Sequence, residues 1–448
     1  MRMGWLSVLV VGLGAAAVSA AEKPNVVFIL ADDLGPGDVG CSGGTIAATP
    51  NLDRMAGEGV RFTRYYSAAP ICSPSRCGLI TGQFPAHWRL TSYLQTRAGN
   101  RACGQADYLD PHAPSLPRVL LDAGYRTAHF GKWHLGGGRD VADAPRFAAY
   151  GYDEHAGTWE SPEPHPDITA TDWIWSDKDK AKRWERSAFF VDKALDFLAR
   201  NKDRPCFVNV WLDDPHTPWA PDAAAGQGAS TARNLKAVME EVDRQVGRLR
   251  GGLKALGIDR KTLLIFTSDN GPLPTLQGRR SGGLRGSKLS LYEGGIRLPF
   301  LAVWPGTIPP DTTDDTTVFG AVDVLPTVCN LAGAGLPAGT TFDGEDRSPA
   351  FLGTPQPARE KPLFWEYGRN DTAFGYPTVR NGARRGDRSP NLAIRDGRWK
   401  LLVNDDGTRA ELYDVLADPA ETKDLAAAEP EQVTRLTRLL LAWRKSWP

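Results

Sequence analysis

The run Pro24-Asn25-Val26-Val27-Phe28-Ile29-Leu30-Ala31, closing on Asp32-Asp33, decides how this chain folds. A continuous apolar stretch without alternation reads as a strand covered on both faces, the habit of parallel sheets. Its carboxyl end carries two acids, where open α/β sheets gather ligands. The Leu34-Gly35-Pro36-Gly37-Asp38 that follows also fits an ordinary turn, so the acidic pair reads equally as a turn or as a site.

Two more such runs lie downstream. Cys206-Phe207-Val208-Asn209-Val210-Trp211-Leu212 ends in Asp213-Asp214-Pro215-His216-Thr217-Pro218, and Leu263-Leu264-Ile265-Phe266 ends in Thr267-Ser268-Asp269-Asn270-Gly271. Between them Leu235, Val238, Met239, Val242, Val246, Leu249, Leu253 and Leu256 recur at helical spacing and mark one long amphipathic helix. Strand, helix, strand predicts an α/β core with a mainly parallel sheet. A short strand at 126–130 leads into Gly131-Lys132-Trp133-His134. A further helix is expected at 115–123, capped by Ser115 and stopped by Gly124.

Residues 137–186 lack periodicity and read as a looped insertion. Its Trp159, Trp173, Trp175 and Trp184 read first as satellite core, second as surfaces for sugar rings. Lys288 and Glu293 stand in a glycine-rich loop at 282–295. A Pro-rich linker at 354–362 precedes expected antiparallel strands within 393–403 and at 411–414, then a terminal helix over 430–445. The expected division is a signal at 1–21, a catalytic domain at 22–355 and a C-terminal subdomain at 356–448.

Lys+Arg and Asp+Glu both number 53 among 448 residues. A balanced charge gives no whole-molecule attraction to nucleic acid or to membranes, so affinity for an anion must come from locally placed bases. Arg2, an apolar stretch at 6–18 and Val18-Ser19-Ala20 read as a secretory signal with a small-residue cleavage point. The stretch is too short for a comfortable membrane span, and no second one follows. A periplasmic or secreted protein without a lipid anchor is expected. The six cysteines (Cys41, Cys72, Cys77, Cys103, Cys206, Cys329) leave disulfide pairing open.

Cys72-Ser73-Pro74-Ser75-Arg76-Cys77-Gly78-Leu79-Ile80-Thr81-Gly82 carries the densest chemistry. Pro74 suits the first turn of a helix, which puts Cys72 at a helix N-terminus, where backbone donors favour an anion. Arg76 adds a permanent charge. A cysteine there is a candidate nucleophile or its precursor, although cysteine context alone favours a disulfide or a buried thiol. Asp32, Asp33, Asp269 and Asn270 offer oxygen ligands, which suits Ca2+ rather than zinc. Lys132 and Lys288 are point charges able to clamp an anion, or plain solvated lysines when taken singly.

Cys-x-Pro-Ser-Arg followed by Leu-Ile-Thr-Gly at 72–82 resembles the signature of type I sulfatases, and the overall pattern is similar to arylsulfatase A and N-acetylgalactosamine-6-sulfatase relatives. Gly131-Lys132-Trp133-His134 and His216-Thr217-Pro218 resemble further motifs of that family, in its order, and the resemblance runs from Pro24 to Asp414. It implies an alkaline-phosphatase-like fold: a large mixed, mainly parallel sheet between helices, then a small C-terminal α+β domain with a four-stranded antiparallel sheet. It also implies that a formylglycine-generating maturation enzyme oxidises Cys72 to Cα-formylglycine, whose hydrate attacks sulfur and later expels sulfate. Calcium, with Mg2+ the second choice, would be held by Asp32, Asp33, Cys72, Asp269 and Asn270. By the same resemblance Arg76 orients the hydrate, and Lys132, His216 and Lys288 bind sulfate. His134 assists deprotonation of the diol, His216 with Lys288 serves the leaving group, and Asp269 touches metal and diol.

The expected substrate is a sulfated saccharide, with His87, Arg89, His155 and Trp173 as candidate sugar contacts. Two rivals remain at this stage: a phosphate or phosphonate ester hydrolase on the same fold, and a catalytically silent protein that binds sulfated glycans. Asn270 after Asp269, in place of histidine, argues against a two-zinc phosphatase. Asn370-Asp371-Thr372 is an N-glycosylation sequon in a eukaryotic secretory route.

Overall fold

A computed structural model describes residues 23–168, 178–225, 230–368 and 388–447. Nine strands form the large sheet: β1 (Asn25–Ala31), β2 (Val60–Tyr66), β3 (Arg126–Gly131), β4 (Glu154–Gly157), β5 (Cys206–Trp211), β6 (Thr262–Ser268), β7 (Arg297–Val303), β8 (Thr312–Asp314) and β9 (Phe319–Gly320). They run in the order β4-β3-β5-β1-β6-β7-β2-β8, with β9 also beside β2. From β4 to β6 every pairing is parallel, whereas β7 runs against both β6 and β2. β1 lies in the middle, Leu30 opposite Trp211 on one side and Thr267 on the other. The chain therefore leaves β1, β5 and β6 at adjacent points on one edge.

Full burial of β1 follows from its two covered faces. Val26, Phe28 and Leu30 join a core with Leu79, Ile80, Leu120 and Leu325, from the helices Cys72–Thr81, Leu116–Asp122 and Val324–Leu331. Val27, Ile29 and Ala31 point the other way, as strand alternation requires. They meet Leu52, Phe190, Leu235 and Val242, from the helices Pro50–Gly57, Arg186–Arg200 and Ala232–Ala255. Each such apolar side chain contributes about 1.5–3 kcal/mol by leaving water. Thr231 accepts from the Asn234 N–H and caps the longest helix. Ser115 does not cap its helix: its hydroxyl donates to the Tyr150 carbonyl at 2.7 Å, tying the helix to the insertion instead.

A second, antiparallel sheet runs β10 (Leu363–Glu366), β11 (Leu392–Asp396), β12 (Trp399–Val403), β13 (Glu411–Asp414). Ile394, Leu401 and Leu412 pack under Leu436 and Leu440 of the Pro430–Lys445 helix. Its other face presents Trp365, Leu402 and Tyr413 to a cluster that includes Tyr66, Ile71, Cys72 and Tyr292. A buried ionic knot joins the two sheets. Lys400 Nζ lies 2.9 Å from both Glu293 Oε1 and Glu421 Oε1. Tyr66 donates to Glu293 Oε2 at 2.7 Å, and the Glu293 N–H donates to Glu421 at 2.7 Å. Arg395 lies over the Tyr66 ring.

The insertion departs from its all-loop expectation: it contributes β4, parallel to β3, which extends the sheet. Four residues are too few for a period to register in sequence. None of the six cysteines forms a disulfide, and no helix among the described residues is long and apolar enough to cross a membrane. The signal at 1–21, Trp173, Trp175 and the sequon at Asn370 lie outside the described residues.

Candidate active site

Cys72 opens its helix, with Ile71 before it in extended backbone and Pro74 in the first turn. One turn further on, Arg76 is fully buried and fixed on every side. Its Nε and Nη2 donate to Asp269 Oδ2 at 3.0 and 2.8 Å, and its Nη1 donates to the Lys132 carbonyl at 2.8 Å. The guanidinium also lies over Trp211, 5.2 Å from the ring centre. Asp33, directly after Asp32, takes a left-handed conformation (φ 64°) that Asp tolerates better than most residues. Its N–H donates to Asp269 Oδ1 at 3.2 Å. The ends of β1 and β6 are thus cross-linked by backbone as well as side chain.

Around the Cys72 sulfur, Asp32 Oδ1, Lys132 Nζ and Lys288 Nζ each stand at 3.6 Å. Lys132 Nζ reaches Asp32 Oδ2 at 2.6 Å, and Lys288 Nζ reaches Asp33 Oδ1 at 2.7 Å. Asn270 Nδ2 donates to Asp33 Oδ1 at 2.7 Å. Burial would raise the Asp32 carboxyl, but Lys132, His216, Arg76 and Lys288 together hold it well below the ordinary range. Asp33 is also lowered, burial being outweighed mainly by Lys288 and His216. Burial and the Asp32 charge push Asp269 up to about 6, against Arg76 and Lys132. Burial would also discharge the two lysines. Asp32 beside Lys132 and Asp33 beside Lys288 overcome it, so both ammonium groups are held charged. Burial pushes the Cys72 thiol up despite both lysines. The sulfur therefore rests as a thiol, a poor nucleophile as it stands.

His216 follows β5 between two cis peptide bonds, Asp214–Pro215 and Thr217–Pro218. Its Nε2 is 3.6 Å from Asp33 Oδ2, and its Nδ1 lies 2.7 Å from the Thr217 carbonyl. Burial and the Lys288 charge lower its pKa. Two buried arginines brace this loop. Arg183 donates to the carbonyls of Asp213 and His216, both at 3.1 Å, and Arg186 pairs with Asp213 and Asp179.

His134 sits less directly on the sulfur. Its Nε2 is 3.2 Å from the Leu94 carbonyl and its Nδ1 3.5 Å from Glu160 Oε2. Burial, with the nearby Lys132, Arg139 and Arg76 charges, depresses it to about 3, Glu160 alone resisting strongly. Glu160 and Arg139 were invisible in sequence. Glu160 is held down to about 2, burial being overcome by His134, Arg139 and Lys132. Arg139 lies over Trp159, which is half-buried rather than core. The proposed sugar contacts divide. His155 turns to Glu163 and stacks on Phe147. His87 and Arg89 lie past the far end of the Cys72–Thr81 helix, His87 stacking on Trp447.

Donor chemistry fits a hard cation. Ligand atoms of Asp32, Asp33, Cys72 and His216 lie within 4.8 Å of one another, all buried. Asn270 Oδ1 is buried beside them with no hydrogen-bond partner, an unsatisfied acceptor of the kind a cation answers. Two carboxylates and an amide oxygen outnumber the thiol and the imidazole, as calcium or magnesium chemistry prefers, while the Asp269 oxygens accept from Arg76 and the Asp33 N–H.

The chain belongs to the sulfatase family, sulfuric ester hydrolases of the alkaline phosphatase superfamily. The Sulfatase family matches residues 24–334, and the family described as N-sulphoglucosamine sulphohydrolase, C-terminal, matches residues 287–444. Human arylsulfatase A is 33% identical, covering 95% of this chain and 83% of the relative. N-acetylgalactosamine-6-O-sulfatase of Bacteroides thetaiotaomicron is 28% identical over 94% and 93% of the two chains. Among solved structures, Ps i-CgsB in complex with k-i-k-neocarrahexaose superimposes with a TM-score of 0.75 at 26% identity, covering 94% of this chain and 93% of that one. The phosphonate monoester hydrolase of Agrobacterium radiobacter, at 22% identity and a TM-score of 0.66, covering 95% and 96%, shares the fold.

Proposed function

We propose that this sulfatase acts on a sulfated saccharide after Cys72 has been oxidised to Cα-formylglycine, with a calcium ion held by Asp32, Asp33, Asp269, Asn270 and residue 72. The observation that carries the reading is one convergence: two lysine ammonium groups and an aspartate, each 3.6 Å from the Cys72 sulfur at a helix N-terminus. A thiol raised by burial is unsuited to attack, which favours a modified side chain. Formylglycine supplies, once hydrated, a hydroxyl nucleophile at that position, and calcium supplies charge for sulfate oxygens.

Each role belongs to a named side chain. Arg76, locked by Asp269 and the Lys132 carbonyl, orients residue 72. With a divalent cation answering the carboxylates, Lys132 and Lys288 are the positive charges left for the sulfate. His216 binds sulfate beside Lys288 and hands a proton to the departing alcohol oxygen. His134 removes the proton whose loss restores the aldehyde. Asp269, held by Arg76 and by the Asp33 N–H, is the candidate base for attack. Magnesium is the second choice of metal. The saccharide assignment draws on a relative named N-acetylgalactosamine-6-O-sulfatase and on the similar structure of Ps i-CgsB in complex with k-i-k-neocarrahexaose. We also place a maturation enzyme upstream, export to the periplasm or medium from the signal at 1–21, and a boundary near residue 355 between a catalytic domain and a C-terminal subdomain.

The test is sulfate release by the matured protein across saccharides sulfated at defined positions, with phosphate and phosphonate esters alongside and Cys72→Ala as control. Release from one sulfated linkage, lost in the control, is the expected result. Phosphonate turnover without any sulfate release would refute the sulfatase chemistry.

A further inference from the structure

One buried acid beside the site has no part in the roles above. Glu160 is 1% exposed and follows β4, in the segment that sequence periodicity left unassigned. It is built into a closed ring with His134. The His134 N–H donates to the Glu160 carbonyl at 3.0 Å. Glu160 Oε1 is 2.6 Å from Arg139 Nη2, while Glu160 Oε2 lies 3.5 Å from His134 Nδ1, an ion-pair distance rather than a hydrogen bond. Arg139 Nη1 donates at 3.0 Å to the Leu94 carbonyl, the same oxygen that lies 3.2 Å from His134 Nε2. The backbone is set to allow it. His134 takes a left-handed φ of 56°, and a side chain at Gly137 or Gly138 would strike the Trp159–Pro162 backbone.

Both nitrogens of this ring face only acceptors: a carboxylate on one side, a carbonyl on the other. A neutral imidazole carries one proton and satisfies one of them; an imidazolium satisfies both. Each ring nitrogen thus has an acceptor in front of it, while burial and the neighbouring cations keep the resting ring neutral. The charged acceptor also attracts the single proton of the neutral ring more strongly than the carbonyl does.

We propose that Glu160 is the positioning residue for His134: its carboxylate keeps the imidazole proton on Nδ1, leaves Nε2 as the basic nitrogen, and stabilises the cation formed when Nε2 accepts a proton. That last role rests on the sulfatase reading. In it, the O–H bond of the hydroxyl on residue 72 breaks, the proton goes to Nε2 and the electron pair stays on oxygen. Glu160 then balances the charge at Nδ1. The competing view, in which Glu160 serves only as the ion-pair partner of Arg139, predicts the proton on Nε2, donated to Leu94.

The two views separate by nitrogen NMR of histidine-labelled protein in its unmodified Cys72 form, with the His134 signals assigned by their loss in His134→Gln. The expected wild-type signature is a protonated Nδ1 and a lone pair on Nε2 at neutral pH. Glu160→Gln, which can donate its amide to Nδ1, should move the proton to Nε2. In matured enzyme the same variant should lose roughly 10²–10⁴-fold in kcat with KM little changed, by analogy with neutralising the acid behind a catalytic histidine. Glu160→Asp should restore part of the loss and the Nδ1 proton. A wild-type ring protonated at Nε2, or a tautomer indifferent to Glu160→Gln, overturns the proposal; the first needs no variant to fold. A wild type with protonated Nδ1 that releases no sulfate refutes the sulfatase reading while supporting the hold of Glu160 on His134.

Discussion

Two buried ionic clusters, built from similar side chains, do opposite things in this molecule. In the knot between the sheets, Glu293 and Glu421 are drawn to one ammonium, Lys400. In the site, the ligand atoms of Asp32, Asp33, Cys72 and His216 are packed within 4.8 Å of each other, and the bases stand around them. Acids surrounding a base make a fastener. Acids converging on a point, with an orphaned Asn270 oxygen beside them, make a receptor for a cation. Burial is equal in the two, so arrangement and not burial distinguishes glue from chemistry.

The contrast can be broken most violently at residue 72. Cys72→Ala should abolish sulfate release while leaving the urea unfolding midpoint close to wild type; residual turnover above a few per cent would transfer the chemistry elsewhere. Lys288→Ala comes next. Loss of one positive clamp should lower kcat by roughly 10²–10³, measured on the preferred saccharide. An effect under about threefold would demote Lys288 to a partner of Asp33.

Lys400→Met tests the fastener. It leaves two buried carboxylates facing each other, at a cost of about 3–5 kcal/mol in unfolding free energy. A loss below about 1 kcal/mol would equate the knot with a surface pair. Calcium sharpens the same comparison. At about a hundred times its Kd it should stabilise the wild type by about 2.7 kcal/mol, and clearly less in Asp269→Asn, while Lys400→Met leaves the increment intact.

The gentlest test is pH. Burial pushes Glu421 up to about 7, Glu293 adding and Lys400 resisting. Its folded value lies above the ordinary 4.5, so the native state holds a proton that the unfolded chain has already released. Stability should therefore fall as pH rises from about 4.5 to about 7 and flatten above that. Glu421→Gln should make this slope shallower and leave the share from Asp269, raised to about 6, read from urea midpoints at about pH 5 and about pH 8. An unchanged slope would move the titration to another group.

Much of the site could be read from the chain because parallel sheets advertise their strands. The runs before Asp32, Asp213 and Asp269 are dominated by apolar residues, so the charged side chains at their ends stand out. The Cys72 helix was legible through Pro74. Glu160, Arg139 and the Arg183 and Arg186 braces were not. Their partners are contacts across distant segments, such as Leu94 with Arg139, and no spacing encodes those. β4 was missed for want of length, and the half-buried setting of Trp159 depends on Arg139 above it.

Cys72 shares its apolar cluster with Trp365, Leu402 and Tyr413 of the second sheet, and its side chain is 2% exposed. That sheet and its helix lie far downstream of Cys72 and are synthesised after it, since translation runs from the N-terminus. The wall behind the sulfur is thus a late arrival. If Cys72 is modified as proposed, a chain in which this wall has not yet closed offers the sulfur more openly than the finished fold, where it is 2% exposed. Point changes in the second sheet should then alter how much protein is born active, through timing, without touching a single group of the reaction centre.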